Sequence, residues 1–189
     1  ELRIEQLQAW ARELGFGSIG VVGVDLSDAE EGLQAWLQAG FHGEMDYMAS
    51  HGTRRSRPAE LVPGTVSVIT ARINYLPQAA PMETVLADGT RAAISRYALG
   101  RDYHKLLRAR LKKLAERIAA EAGPFGHRVF TDSAPVLEVE LAAKSGIGWR
   151  GKHTLALHRE GGSMFFLGEI YTDLPLPLSA PVEPHCGSC

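Results

Sequence analysis

Cysteine is nearly missing: two residues in 189, at Cys186 and Cys189, exclude a framework of disulfides. No apolar run reaches the roughly 18 residues of a membrane span, so none is expected. The opening Glu1-Leu2-Arg3-Ile4-Glu5 lacks the layout of a secretory signal, and a reducing cytoplasm is the expected setting. A formal net charge of -2 provides no global basic field that would advertise nucleic acid. The seven histidines form no His-Glu-x-x-His or comparable pattern, and no zinc site is expected within 1–180. Gly15, Gly17, Gly20 and Gly23 miss the dinucleotide-binding spacing, so close backbone packing is the better reading. There is no internal repeat.

What is present is enough for one domain with a sizeable core, given 45% hydrophobic residues. Apolar spacing predicts a first helix ending at Gly15 and a buried strand at 18–24. Ser27-Asp28-Ala29-Glu30 reads as a capping box for a helix to Ala39, followed by an irregular stretch to Arg57. A strand is expected at 65–71, a loop at 77–93 and a short strand at 94–97. The strongest helix spans Asp102 to about Ala120, with Leu106, Leu107, Leu111, Leu114 and Ile118 on its core side. A strand at 128–131 and a helix from Pro135 to Lys144 follow. Strands at 153–158 and 164–172 flank Glu160-Gly161-Gly162-Ser163, which reads as a hairpin turn. The class is α/β, with a mainly antiparallel central sheet flanked by helices. Beyond Asp173, Pro175, Pro177, Pro181 and Pro184 give a linker composition.

Five segments could carry chemistry. Asp132 stands at a strand end before a helix, where it either caps free amides or presents an acid to a cleft. Gly146, Gly148 and Gly151 flank Trp149; they suit close approach to a flat ligand, and ordinary turns equally well. Arg54, Arg55 and Arg57 form a basic cluster, a solvated loop or an anion contact. Arg101, Lys105, Arg108, Arg110, Lys112, Lys113 and Arg117 load one helix with positive charge, suited to solvent or to a nucleic-acid backbone. Finally, Cys186-Gly187-Ser188-Cys189 can place two thiolates on one metal or cluster, or be an incidental pair in a tail.

Taken in order, Arg96 to His104, Asp132-Ser133-Ala134-Pro135-Val136-Leu137-Glu138, Gly146 to His153, Gly168-Glu169-Ile170 and Cys186 to Cys189 resemble epoxyqueuosine reductase. That family is a cobalamin-dependent iron–sulfur enzyme of tRNA modification. The resemblance implies reduction of epoxyqueuosine to queuosine at the wobble position of tRNA. It also implies cobalamin as the reactive cofactor, two [4Fe–4S] clusters as electron carriers, an external electron donor and a flavin-reductase or nitroreductase-like relative. By the same resemblance Asp132 is the proton donor and lies beside the corrin. Arg55, Ser95, His153, Ala156 and Leu167 align with cobalamin-contacting positions. Cys186 and Cys189 are the first two ligands of one cluster. The expected organisation is a cobalamin-binding catalytic domain over 1–174. Residues 175–189 are then a proline-rich linker and the start of a ferredoxin-like domain cut within its first cluster motif. Two thiolates do not satisfy two cubane clusters, so the fragment by itself is expected to be inactive. The rival readings are a cobalamin carrier, which needs no acid at Asp132, and a flavin-dependent reductase, distinguished by its spectrum.

Overall fold

The computed structural model describes residues 2–76 and 79–187. The chain runs through α1 (Ile4–Glu13), β1 (Ser18–Val22), α2 (Ser27–Gln38), α3 (Pro58–Leu61), β2 (Ser67–Asn74) and α4 (Met82–Ala87). It continues through α5 (Tyr103–Ala122), β3 (His127–Phe130), α6 (Glu138–Lys144), β4 (Trp149–Arg150), β5 (Ala156–Leu157) and β6 (Phe165–Thr172). Three short 3-10 turns, Asp46–Met48, Gly52–Arg55 and Arg96–Ala98, lie in the connections.

The central sheet has the order β1-β2-β6-β3, and all its neighbours are antiparallel. Successive strand residues point to opposite faces, and both faces are covered. Ile69, Ala71 and Ile170 pack against Leu7 of α1 and Leu107, Leu111, Leu114 and Ile118 of α5. Val68, Phe130 and Tyr171 pack on the other face with Leu26, Val136 and Leu141. This explains why β2 is buried over all but its last residue. Gly20 shows how tightly α6 is seated on that second face. A Cβ there would lie 2.0 Å from the Ser145 carbonyl oxygen.

Several expected elements are different. Residues 94–97 form no strand; Ile94 is exposed and the chain turns at Arg96–Ala98. The strand expected at 153–158 is reduced to Ala156–Leu157 and pairs with β4, not with β6. β2 covers one edge of β6 along its length, β3 takes the other from Glu169 to Thr172, and Ala156–Leu157 pair with Trp149–Arg150 instead. Residues 160–163 therefore close only an isolated His158–Gly162 bridge. The capping box is replaced by another contact. Ser27 is already the first residue of α2, and its amide donates to Asp25 Oδ1 at 3.0 Å. Leu106 is exposed at 45%, outside the core stripe of α5.

Candidate functional site

Asp132 follows β3 directly, and its backbone takes a left-handed conformation with φ of +56°. A non-glycine residue does this at a cost on the order of 1 kcal/mol. The turn aims the carboxylate outward, with its side chain about half exposed. Tyr103 Oη donates to Asp132 Oδ2, and His104 Nε2 lies 3.0 Å from the same oxygen. His104 Nδ1 is 2.9 Å from Asp102 Oδ1, so the imidazole bridges two carboxylates.

The start of α5 sets this geometry. Asp102 caps the helix by accepting the His104 amide at 3.0 Å. Tyr103 is stacked between Phe166 of β6, at 3.8 Å between centroids, and the His104 ring, at 4.1 Å. Burial, and then its bond to Asp132, raises the Tyr103 hydroxyl above its ordinary value, so it serves as a neutral donor. Beneath the turn, Glu138 Oε1 accepts the Asp132 amide at 2.6 Å.

These groups stand at one side of a cavity of about 320 Å³, lined by Asp132, Tyr97, Tyr103, Val139, Ala156, Phe165 and Leu167. A second cavity of about 610 Å³ shares Glu138 and Val139 with it and runs past Trp36, Met48, Arg150 and Thr154. Thr154 has φ of +72°, an unusual conformation for a β-branched residue, at the wall of that larger space. Apolar side chains below and an acid at the rim suit a large flat organic ring.

Of the residues singled out in the sequence, Asp132, Ala156 and Leu167 line the smaller cavity together. Ser95 is exposed, two residues before the cavity-lining Tyr97. His153 is exposed and adjoins Thr154. Arg55 lines neither cavity. It is 8% exposed, its Nη2 donates to the Tyr47 carbonyl at 3.3 Å, and its buried Nε has no partner among the described residues. The glycines around Trp149 serve chain packing: a Cβ on Gly148 would lie 2.0 Å from the Leu157 oxygen.

The 149–152 segment also meets the tail. Trp149 Nε1 donates to Cys186 Sγ at 3.4 Å, and Lys152 Nζ donates to the Gly187 carbonyl at 2.5 Å. The indole bond favours the Cys186 thiolate and lowers its pKa. Cys189 lies outside the described residues. Among those residues no group of three or more His, Cys, Asp or Glu could hold a metal ion.

Residues 55–133 match the family described as epoxyqueuosine reductase QueG, DUF1730. The epoxyqueuosine reductase of Alicycliphilus denitrificans is 66% identical over 98% of this chain and 53% of its own length. Over nearly its whole length this chain is similar to epoxyqueuosine reductases. It spans about half the length of the curated relatives it matches. Among solved structures, epoxyqueuosine reductase from Streptococcus thermophilus has a TM-score of 0.82 at 27% identity, covering 98% of this chain and 50% of that one. An epoxyqueuosine reductase with an epoxyqueuosine-modified tRNA-Tyr stem loop has a TM-score of 0.83 at 24% identity, covering 98% and 49%. A more distant fold likeness, TM-score 0.56 at 15% identity over 99% and 22%, is to a reductive dehalogenase of B12-dependent dehalogenation.

Tyr103, His104 and Glu138 received no role from the sequence, although all three stand inside the motifs that carry the resemblance. A signal was available for His104, because Asp-x-His at the start of a helix combines a capping acid with a ring able to reach past it.

Proposed function

We propose that this chain is the cobalamin-binding, catalytic part of an enzyme that reduces epoxyqueuosine to queuosine at the wobble position of tRNA. The observation that carries this reading is the Asp132 carboxylate, joined to Tyr103 and His104 at the rim of an apolar cleft lined by Ala156 and Leu167. Loss of the epoxide oxygen as water consumes two electrons and two protons. Cobalamin, when bound, supplies the electron-rich metal chemistry that breaks the carbon–oxygen bond.

The protein's own residues do the rest. Ala156, Leu167, Phe165 and Val139 provide the apolar surface against which the corrin is seated. Ser95, His153 and Arg55 are assigned to its periphery, and Arg55 Nε, buried without a partner among the described residues, is a donor suited to a polar group there. The oxygen of an opening epoxide gathers negative charge, and an acid within hydrogen-bond reach relieves it. Asp132 is that acid. The Tyr103 hydroxyl and the imidazole of His104 fix its carboxylate, and His104, held by Asp102, can return a proton to it. A carrier of cobalamin has no use for such an arrangement, which favours the enzyme over that rival.

The electrons come from an external donor through [4Fe–4S] clusters, with Cys186 and Cys189 as two ligands of one cluster. Cys186 rests on Trp149 in β4, and Arg150 of the same strand lines the larger cavity. Residues 1–174 form the catalytic unit in this scheme, and 175–189 lead towards the cluster-bearing part, in a reducing cytoplasm. The relationship of the fold to flavin reductases and nitroreductases is part of the same reading. The exposed side of α5, with Lys105, Arg108, Lys112 and Lys113, is the surface offered to tRNA phosphates.

The deciding experiment is Asp132→Asn in the cobalamin-loaded protein, with a strong chemical reductant standing in for the cluster-bearing part, assayed on an epoxyqueuosine-containing stem loop. The variant is expected to keep the visible spectrum of bound cobalamin while losing turnover by at least about 100-fold, the usual scale for a general acid. Unchanged turnover rejects Asp132 as the acid, and absence of cobalamin binding by the parent chain rejects the reading altogether.

A further inference from the structure

Glu138 has no part in the chemistry above, yet it reaches the backbone of the residue that does. Its Oε1 accepts the Asp132 amide at 2.6 Å, at the point where φ is +56°. A non-glycine residue persists in that region only when its surroundings hold it there. Several titratable groups face Glu138: Asp132 from the turn after β3, Tyr103 and His104 from α5, and Glu169 and Tyr171 from β6. Glu169 is fully buried, and neither of its oxygens has a hydrogen-bond partner among the described residues. His104 is the one group in this set that can carry positive charge.

We infer that Glu138 is the positioning residue of the acid: through the Asp132 amide it holds the 131–133 turn so that the carboxylate meets Tyr103 and His104, and this hold tightens as Glu138 ionises. An ionised acceptor makes a charge-assisted bond that is stronger than the bond made by the neutral acid. Burial pushes the Glu138 carboxyl up to about 7, opposed by its bond to the Asp132 amide and reinforced by the Asp132 charge. The change in hold therefore falls near neutral pH. The role in turnover rests on Asp132 being the acid; the hold on its amide does not.

The test has two arms. In 1H–15N spectra of the chain, the Asp132 amide proton is expected to move downfield as pH rises, with a midpoint of about 7. Asp132→Asn should keep this titration at residue 132. Glu138→Gln, which keeps an acceptor oxygen, should abolish it while leaving the turn formed. In Glu138→Leu the same amide should exchange with solvent at least about tenfold faster, the loss of one charge-assisted bond. In turnover of the stem loop by the cobalamin-loaded protein under a strong chemical reductant, Glu138→Leu should lower kcat about tenfold at unchanged KM, with Glu138→Gln restoring it to within about threefold. An Asp132 amide that does not titrate, or titrates identically in Glu138→Gln, overturns the assignment, and so does wild-type kcat in Glu138→Leu. The isosteric Gln variant keeps the question open to measurement if the Leu variant does not fold. A parent chain that shows the amide titration but binds no cobalamin would sustain the hold while counting against the reductase reading.

Discussion

At the scale of single residues, the second face of the sheet carries an uncommon load. Glu169 of β6 is completely buried opposite Thr70, and the hydroxyls of Thr70 and Tyr171 are also buried without partners among the described residues. Burial raises the Glu169 carboxyl well above its ordinary 4.5, and the nearby Glu138 acts in the same direction. The sign of the resulting pH dependence follows. An acid with a raised pKa in the folded state contributes its stability below the unfolded value and loses it as pH rises towards the folded one. Each pH unit in that window removes up to about 1.4 kcal/mol. Glu169→Gln does not titrate, so its melting temperature should fall less than that of the parent between pH 5 and pH 8; parallel curves would contradict this. Asp132 was visible in the sequence because a lone acid at a strand end before a helix is a recognisable signal. Its companions were not, since Tyr103 and His104 lie 29 and 28 residues away and meet it only through the fold. The left-handed turn at Asp132 carries no glycine to announce it.

At the scale of elements, the long helix and the two long strands were legible because their apolar periods run for many residues. The short ones were not. A four-residue apolar run becomes a strand only when its backbone pairs with a neighbour, and residues 94–97 pair with no strand among the described residues while 153–158 pair as a strand only through Ala156–Leu157. Helix α5 illustrates what an end can do. Asp102 satisfies the His104 amide and also holds the His104 ring, so one side chain sets the helix start and one wall of the site. Asp102→Ala should cost about 1 kcal/mol through the lost cap. For a domain of this size that is a melting temperature lower by roughly 2–4 °C. A calorimetric scan identical to that of the parent would show that the cap contributes nothing. The basic residues of α5 divide into two groups. Arg117 pairs with Glu13 and Arg110 reaches the Gly15 carbonyl, which ties α5 to α1, while Lys105, Lys112 and Lys113 remain exposed. Charge reversal at those three lysines should weaken stem-loop binding and flatten its salt dependence, because each phosphate contact releases counterions. An unchanged salt slope would remove α5 from the tRNA surface.

At the scale of the whole molecule, the segment from Pro175 onward reads by composition as a tether, but it is laid against the sheet. Leu176 is 8% exposed and belongs to the main core. Ser179 donates its amide to the Val21 carbonyl at 2.9 Å, and its Oγ accepts the Val21 amide at 3.0 Å. Proline favours this arrangement, since its fixed φ keeps the chain extended and its missing N–H needs no partner. Further on, Trp149 and Lys152 clasp the tail at Cys186 and Gly187. Any group held at Cys186 is therefore placed by the same β4 that contributes to the cleft wall, instead of swinging on a free linker. Two substitutions separate a docked tail from a loose one. Leu176→Ala should cost about 2–3 kcal/mol, as for other buried leucines, lowering the melting temperature by roughly 4–12 °C. Val182→Ala, at a position 40% exposed, should change stability by less than about 0.5 kcal/mol. If Leu176→Ala melts with the parent, the segment carries no stability and behaves as the flexible tether its prolines suggest, and the placement of Cys186 beside the cleft would then rest on Trp149 and Lys152 alone.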